Sequence, residues 1–258
     1  MPMLGLGVYN MHEDVAEAAI LHALATGYRL IDTAASYGNE LQTGNAIRSS
    51  GIKREDLFVT TKVANTDQGF DNTLNAFEKS LQLLRTDYLD LYLMHWPVKG
   101  KRQETWKALE RLYREKSVRA IGVANYLLPF LEELPRYATI VPAVNQIEFT
   151  PWLNSGLELA YCRQHRIQLQ AYSPITRGKK FGDPRLKLLC EKYGKTPSQL
   201  ILRWNMELGV SAIPKSANPA RIAENFRIFD FSLSKEDIAL MSRFQENFRI
   251  CEDPMDMW

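Results

Sequence analysis

Residues 58–94, FVTTKVANTDQGFDNTLNAFEKSLQLLRTDYLDLYLM, contain the pattern that decides the fold. Two apolar or β-branched runs, residues 58–62 and 89–94, lie at its ends. Between them, apolar side chains recur at helical spacing: Leu74, Phe77, Leu81 and Leu84. A strand, an amphipathic helix and a second strand in this order indicate a parallel βαβ unit.

The same alternation continues on both sides of this unit. Six further runs are candidate strands, at residues 3–8, 29–32, 118–123, 143–147, 168–172 and 210–214. Helical patterns or helix-start signals separate them, at residues 15–24, 106–113 and 157–162 and at Pro184, Pro197 and Ser234. Because composition does not change along the chain, we predict an α/β fold with a single domain, a (β/α)8 TIM barrel over residues 1–258. An open parallel sheet is the alternative that this pattern leaves.

The composition is that of an ordinary globular domain, with 45% hydrophobic and 24% charged residues. A net charge of +2 is too small to attract nucleic acid or an anionic membrane surface. No apolar run reaches the ~18 residues that span a bilayer. Cys162, Cys190 and Cys251 form no CxxC pair, which argues against a disulfide framework or a metal site and for a reducing compartment. The N-terminal residues lack the pattern of a signal peptide. We expect a cytoplasmic monomer without a nucleic-acid or membrane partner.

The strand pattern brings four polar side chains to one end of the barrel. Asp32 and Lys62 end two candidate strands. Tyr37 lies five residues after Asp32, and His95 follows the fourth candidate strand. Each has an ordinary alternative: a packed tyrosine, a solvated lysine, an aspartate that caps a turn, or a structural histidine. The C-terminal ends of the strands form the catalytic face of such a barrel. The presence of all four side chains at this face therefore favours an active site.

Long stretches of the chain resemble the signatures of the aldo-keto reductase family, in that family's order. They are residues 27–40, GYRLIDTAASYGNE, residues 87–97, DYLDLYLMHWP, and residues 213–216, IPKS, with residues 221–226, RIAENF. The similarity covers essentially the whole chain and includes the small prokaryotic-type members. It implies the (β/α)8 fold and an NADPH-dependent oxidoreductase that reduces small-molecule carbonyl substrates, aldehydes or ketones, to alcohols.

The resemblance also implies the catalytic roles. Tyr37 would be the general acid that protonates the carbonyl oxygen as hydride reaches the carbon. A phenol has an ordinary pKa of ~10 and is a weak acid for neutral pH. We expect the ammonium group of Lys62 to lower the pKa of Tyr37, and Asp32 to keep Lys62 charged and oriented. His95 would hydrogen-bond the substrate carbonyl.

The resemblance places the nicotinamide end of the cofactor on three further strands. Asn125 and Gln146 would hold the carboxamide, which needs both a donor and an acceptor. Tyr172 would stack on the nicotinamide ring, with Ser173 near the pyrophosphate.

The 2′-phosphate and the adenine would lie after the eighth strand. The expected phosphate cluster consists of Lys215, Ser216, Asn218 and Arg221, and the expected adenine contacts are Glu224 and Asn225. A solvated helix start is the alternative for this basic cluster. Since cations beside a helix N-terminus suit a phosphate, NADPH/NADP+ is expected rather than NADH.

The chain departs from the family pattern in three places, the first of which is Val8 and Tyr9, where many relatives have a threonine and a tryptophan. Ala124 stands where the family usually has a serine, so one contact to the cofactor, worth ~1 kcal/mol, is expected to be absent. The family's N-terminal hairpin is also expected to be absent, since the chain enters its first candidate strand almost at once. We expect Tyr9, His95 and Trp96 to line the substrate pocket and residues 255–258 to close over it.

Two other functions stay open on the sequence. The first is a non-catalytic NADPH-binding member of the same family, although the complete set of Asp32, Tyr37, Lys62 and His95 argues against it. The second is a different barrel enzyme, such as a phosphate-sugar isomerase. That enzyme would need a carboxylate base and no basic group after the eighth strand.

Overall fold

A computed structural model describes residues 1–257 and contains one eight-stranded parallel sheet in chain order. The strands are β1 (Leu6–Gly7), β2 (Leu30–Asp32), β3 (Phe58–Val63), β4 (Leu91–Met94), β5 (Ile121–Ala124), β6 (Val144–Glu148), β7 (Gln168–Tyr172) and β8 (Ser211–Ala212). The helices are α1 (Glu13–Thr26), α2 (Glu40–Ser49), α3 (Phe70–Leu84), α4 (Arg102–Arg114), α5 (Leu128–Glu133), α6 (Gly156–Gln164), α7 (Pro184–Tyr193), α8 (Pro197–Glu207), α9 (Pro219–Phe226) and α10 (Lys235–Ser242).

The sheet closes on itself because the N-terminal segment pairs with β8. The amide of Gly5 donates to the carbonyl of Ala212 at 2.9 Å, and the amide of Ala212 donates to the carbonyl of Met3 at 2.9 Å. A parallel bridge also joins Leu4 to Ala212. The predicted (β/α)8 barrel is therefore confirmed, and the open sheet is excluded.

The first and last strands are shorter than predicted. The regular ladder of β1 covers Leu6–Gly7 of the predicted residues 3–8, and that of β8 covers Ser211–Ala212 of the predicted residues 210–214. Pro214 has no N–H, so it cannot continue the ladder as a donor. These short strands meet where the barrel closes.

The fourth strand also starts later than predicted, at Leu91 instead of residue 89. The carboxylate of Asp90 accepts the Val59 amide at 3.0 Å. The same carboxylate forms ion pairs with Arg54 and Arg119 at 2.7 and 2.9 Å. This cluster replaces part of the backbone ladder at the bottom of the barrel, where the strands begin.

The predicted helix starts at two prolines and at Ser234 are confirmed. α7 and α8 begin at Pro184 and Pro197, and Ser234 is the N-cap of α10. The sequence patterns do not predict α2, which contains Gly44. A Cβ on Gly44 would lie 2.5 Å from the carbonyl oxygen of Leu84, so close packing of α2 on α3 requires glycine here.

The interior is filled by side chains, including the fully buried Trp106, Trp152 and Trp204. Lys62 is equally buried, at 0% exposure, although it is charged. It lies near the C-terminal ends of the strands, which form the mouth of the barrel. A buried charge needs a specific partner, and the neighbours of Lys62 at the mouth must supply it.

Across residues 1–257, no helix has both the length and the apolar character needed to cross a membrane. The three cysteines are unpaired.

Candidate active site at the barrel mouth

The strands bring the four predicted polar residues to the mouth. Asp32 is the last residue of β2, Lys62 lies near the end of β3, and His95 follows β4 directly. Tyr37 ends a single 3-10 turn, Ala35–Tyr37, that follows β2. Three successive strands therefore supply one cluster of side chains.

Asp32 and Lys62 form a buried ion pair. Lys62 Nζ lies 2.5 Å from Asp32 Oδ1, with side-chain exposures of 0% and 2%. The ammonium group also donates to the carbonyl of Thr33 at 2.8 Å. Burial disfavours the charged form of Lys62, but Asp32 and Tyr37 together raise the pKa of Lys62 above its ordinary value. Lys62 is therefore a cation at neutral pH.

Tyr37 lies beside this pair and between two other rings. Its ring centre is 5.0 Å from Lys62 Nζ. It is 5.6 Å from the His95 ring and 5.1 Å from the Tyr9 ring, with edge-on geometry in both cases. The Tyr37 side chain is half-buried, so it remains open to a molecule that enters the mouth.

The net shift in the pKa of Tyr37 differs from the prediction. Burial has the largest effect and raises the pKa of Tyr37, the carboxylate of Asp32 raises it as well, and the charge and hydrogen bond of Lys62 lower it, with the pKa remaining above its ordinary value. Lys62 therefore lowers this pKa as expected, but the expected net fall below the ordinary value is wrong. The sequence identifies the charged partner but not the loss of hydration at the phenol. Lys62 is still the group that favours the phenolate.

His95 is neutral at neutral pH. Burial, with the nearby charge of Lys62, lowers the pKa of His95 to about 3. Its Nδ1 lies 3.3 Å from the hydroxyl oxygen of Ser36. When Ser36 donates to Nδ1, the hydrogen of the neutral ring is on Nε2, which can then donate to another group.

Asn125, Gln146 and Tyr172 come from the next three strands and form two separate hydrogen-bonded groups. Tyr172 donates from its hydroxyl to Asn125 Oδ1 at 2.8 Å, and Asn125 Nδ2 donates to the carbonyl of His95 at 2.8 Å. Gln146 Nε2 donates to Asp32 Oδ2 and to a glutamine of β7, at 2.7 Å each. Both N–H groups of Gln146 are thus engaged, and its carbonyl oxygen is what it can offer a carboxamide.

The predicted phosphate-binding residues surround the start of α9. Asn218 is the N-cap, and its side chain accepts the Arg221 amide at 3.1 Å. Ser216 Oγ accepts the Asn218 amide at 3.1 Å. Lys215 and Arg221 are exposed, and within residues 1–257 neither has a carboxylate at ion-pair distance. Two unpaired cations beside a helix N-terminus suit an anionic group.

The two predicted adenine residues differ in what they can still bind. Glu224 Oε1 accepts from Thr196 Oγ1 at 2.9 Å, which joins α9 to the start of α8. Asn225 is buried, and its Oδ1 has no partner in the described part of the chain. Buried acceptors are usually completed by a partner, so Asn225 has hydrogen-bonding capacity for a ligand.

The predicted pocket residues lie at different depths. Tyr9 is 52% exposed at the rim, while His95 and Trp96 are half-buried. The Trp96 carbonyl accepts from Gln68 Nε2 at 2.7 Å, which holds the loop after β4. The guanidinium group of Arg177 lies 5.7 Å from the centre of the Tyr9 ring and places positive charge on the rim.

One mouth residue, Glu148, is missed by the sequence reasoning. It ends β6, is buried, and accepts the amides of Ile250 and Cys251 at 2.7 and 3.0 Å. These bonds hold residues 249–253 at the mouth, and this segment is here called the C-terminal strap. Within it, Cys251 Sγ lies 4.0 Å from Ser173 Oγ. An acidic residue directly after the candidate strand at residues 143–147 is the signal that could have identified it. The predicted closing tail ends at Trp258, which lies outside the described residues.

The sequence and the barrel of this chain are similar to those of known oxidoreductases. The family model of the Aldo/keto reductase family matches residues 3–246. The glyoxal reductase of Bacillus subtilis (strain 168) is 46% identical over 258 residues, which cover 100% of this chain and 94% of that protein. The chain belongs to the aldo/keto reductase family, and this membership makes it an oxidoreductase.

Two solved structures have the same architecture. The aldo-keto reductase MGS-M4, from a Medee basin deep-sea metagenome library, has a TM-score of 0.95 at 42% identity, covering 98% of this chain and 94% of that chain. A Gox0644 mutant in complex with NADPH has a TM-score of 0.94 at 37% identity, covering 99% of this chain and 94% of that chain.

Proposed function

We propose that this protein is an NADPH-dependent carbonyl reductase that converts aldehydes or ketones to alcohols, with Tyr37 as the proton donor. The observation that carries the proposal is the buried Asp32–Lys62 pair beside Tyr37. A fixed cation next to a phenol stabilises the phenolate that remains when the phenol gives up its proton. Without such a cation, a phenol with an ordinary pKa of ~10 is a poor proton donor at neutral pH.

The residues around α9 fit a 2′-phosphorylated dinucleotide. Lys215 and Arg221 are cations with no acidic partner among residues 1–257, and Asn225 Oδ1 is a buried acceptor without a partner there. Arg221 can meet a phosphate with two parallel hydrogen bonds, and Lys215 acts as a point charge. The NADPH complex of the Gox0644 mutant supports the same choice of cofactor. The nicotinamide end would be held by Asn125, Gln146 and Tyr172.

The chemistry divides between the cofactor and the four mouth residues. When bound, NADPH supplies the hydride that reaches the carbonyl carbon. Tyr37 donates its hydroxyl proton to the carbonyl oxygen, and Lys62 stabilises the negative charge left on the Tyr37 oxygen. Asp32 keeps Lys62 charged and directed. Neutral His95 donates a hydrogen bond from Nε2 to the carbonyl oxygen and orients it toward Tyr37.

Small carbonyl compounds are the proposed substrate class, and dicarbonyls such as glyoxal are the first to test. The 46% identical glyoxal reductase of Bacillus subtilis supports this starting point. Tyr9 and Trp96 would offer aromatic surface to the substrate, and Arg177 would attract polar or anionic groups to the rim.

The experiment measures NADPH consumption with a panel of aldehydes and ketones, using wild type and Tyr37→Phe. Turnover by wild type, its loss in the variant, and NADPH binding by both proteins are expected. NADPH binding without turnover of any carbonyl in wild type would contradict the proposal and favour a non-catalytic NADPH-binding protein. Absence of NADPH binding would contradict both.

We also propose that the enzyme is a cytoplasmic monomer with no nucleic-acid or membrane partner. Three unpaired cysteines suit a reducing compartment. A net charge of +2 is too small to favour binding to nucleic acid or to an anionic membrane surface. Sedimentation velocity should show one species with the mass of a single chain. A species of twice that mass would contradict the monomer.

A further inference from the structure

Asn39 occupies the N-cap of α2 but does not cap the helix. Asparagine is favoured at N-caps because its side chain accepts an amide of the first helical turn. That side-chain bond is not formed in α2. The side chain is fully buried, at 0% exposure, behind the turn that carries Tyr37. Its hydrogen-bonding groups therefore serve another purpose.

Three short hydrogen bonds engage the Asn39 side chain. Its Oδ1 accepts from Thr33 Oγ1 at 2.6 Å. Its Nδ2 donates to the carbonyls of Val8 and Met11 at 2.8 and 2.9 Å. All four residues are buried, so these bonds do not compete with water.

The bond to Thr33 closes the base of the Tyr37 loop, residues 33–39. Tyr37 lies between the two bonded residues, and Gly38 turns the chain back with a φ of 67°. The carbonyl of Thr33 also accepts from Lys62 Nζ at 2.8 Å. The base of this loop is therefore tied to the ammonium group that acts on Tyr37.

The bonds to Val8 and Met11 hold the neighbouring loop after β1. Tyr9 lies between these two residues, and its ring is 5.1 Å from the Tyr37 ring in edge-on geometry. One buried amide thus joins the loop that carries Tyr9 to the loop that carries Tyr37.

We infer that Asn39 is a positioning residue, which holds Tyr37 in place beside Lys62 and holds Tyr9 against Tyr37. The inference rests on the proposed role of Tyr37 as the proton donor. Proton transfer needs donor and acceptor at hydrogen-bond distance, and a displacement of ~1 Å can cost ~100-fold in rate. In the proposed mechanism, Asn39 touches neither substrate nor cofactor and acts through Tyr37.

The test compares two variants with one control. Asn39→Ala removes all three bonds, and Thr33→Val removes only the bond at the base of the Tyr37 loop while it preserves the shape of the side chain. Asn205→Ala is the control, because Asn205 is equally buried and donates to the carbonyl of Ile201 within α8. Circular dichroism and thermal unfolding establish that each variant is folded.

We expect kcat for carbonyl reduction to fall at least ~10-fold in Asn39→Ala and less in Thr33→Val, with the Kd for NADPH within about twofold of wild type. In alcohol oxidation, the pH midpoint should move upward in both variants, because Lys62 acts less on a displaced Tyr37. In the Tyr37→Phe background, Asn39→Ala should cause no further loss of rate. Asn205→Ala should lower Tm without changing kcat or the pH midpoint.

Three outcomes would overturn the inference. The first is an unchanged kcat and pH midpoint in folded Asn39→Ala. The second is the same result in Thr33→Val, if Asn39→Ala does not fold. The third is that Asn39→Ala lowers the rate in the Tyr37→Phe background by the same factor as in wild type. Near-normal turnover by Tyr37→Phe would instead refute the proposed function. Hydrogen exchange of residues 8–11 and 33–39 separates the two failures, since a true link makes both loops exchange faster whatever the role of Tyr37.

Discussion

Lys62 Nζ lies 2.5 Å from Asp32 Oδ1 at the mouth of the barrel, and neither side chain is more than 2% exposed. Salt screens a pair at this depth far less than it screens surface charges. The ammonium group of this pair also lies close to Tyr37, 5.0 Å from the centre of its ring. A positive charge therefore stays beside the phenol throughout the neutral pH range.

Removal of the phenol hydroxyl should abolish catalysis and spare binding. Tyr37→Phe should reduce carbonyl turnover at least ~100-fold, since general acid catalysis commonly contributes ~10²–10⁴-fold. The Kd for NADPH, measured by quenching of protein fluorescence, should change little. Near-normal turnover would exclude Tyr37 as the proton donor.

Cofactor choice should depend on the cations beside α9. Arg221→Met should weaken NADPH binding ~10-fold or more, because charge-assisted hydrogen bonds contribute ~1.5–3 kcal/mol, while NADH binding should be unchanged. Lys215→Met should act in the same direction. Arg227→Met, a change of another exposed arginine just after α9, is the matched control and should affect neither cofactor. An unchanged NADPH/NADH preference in Arg221→Met would place the phosphate elsewhere.

The pH profile of reduction should show no titration of His95 near its ordinary value. Its pKa is lowered to about 3, so the imidazole stays neutral as the pH falls through ~6.5, where an ordinary histidine gains a proton. We expect kcat/KM to lack a step at that pH in wild type and in His95→Gln, which keeps an N–H donor. A step near ~6.5 that is present in wild type and lost in His95→Gln would contradict the neutral assignment.

The C-terminal strap should depend on the Glu148 carboxylate. Glu148→Gln replaces one acceptor oxygen with an N–H group that faces a backbone amide, so the strap should open ~10-fold more often. Alkylation of Cys251 should become faster, while alkylation of Cys190 provides an internal reference. Glu158→Gln is the control, since that carboxylate also accepts a backbone amide, from Leu128 at 3.1 Å, but lies on α6. Equal Cys251 reactivity in all three proteins would mean that Glu148 does not hold the strap.

Much of the fold could be predicted because local patterns determine it. The apolar runs that became Phe58–Val63 and Leu91–Met94 are buried in parallel pairing, and Pro184 and Pro197 begin helices where a missing N–H has no cost. The start of the fourth strand could not be predicted. It depends on the side chain of Asp90, which takes a backbone amide from across the sheet.

The candidate site could be predicted in its members but not in its energetics. Spacing brings Tyr37 near Lys62, but only the folded chain shows how much hydration the phenol loses, and that loss outweighs the charge. Asn39 is a similar case. Its residue type and position predict a helix cap. Its side chain instead donates to the carbonyls of Val8 and Met11, in the loop after β1, which is distant from Asn39 in the sequence.

The pH dependence of alcohol oxidation by NADP+ in wild type, Lys62→Met and Asp32→Asn decides whether Lys62 acts on Tyr37. Oxidation runs the proposed step in reverse and needs Tyr37 as a base, so its rate should rise with pH through the pKa of Tyr37. Lys62 lowers that pKa against the effect of burial, so Lys62→Met should move the rise upward by ~1 unit or more and lose most of the reduction activity. Asp32→Asn should shift the rise less, because Lys62 stays near Tyr37 although it is less well held, and because the Asp32 carboxylate, which raises the pKa of Tyr37, is lost. The same midpoint in wild type and Lys62→Met would show that the lysine does not act on the tyrosine, and would contradict the proposed mechanism.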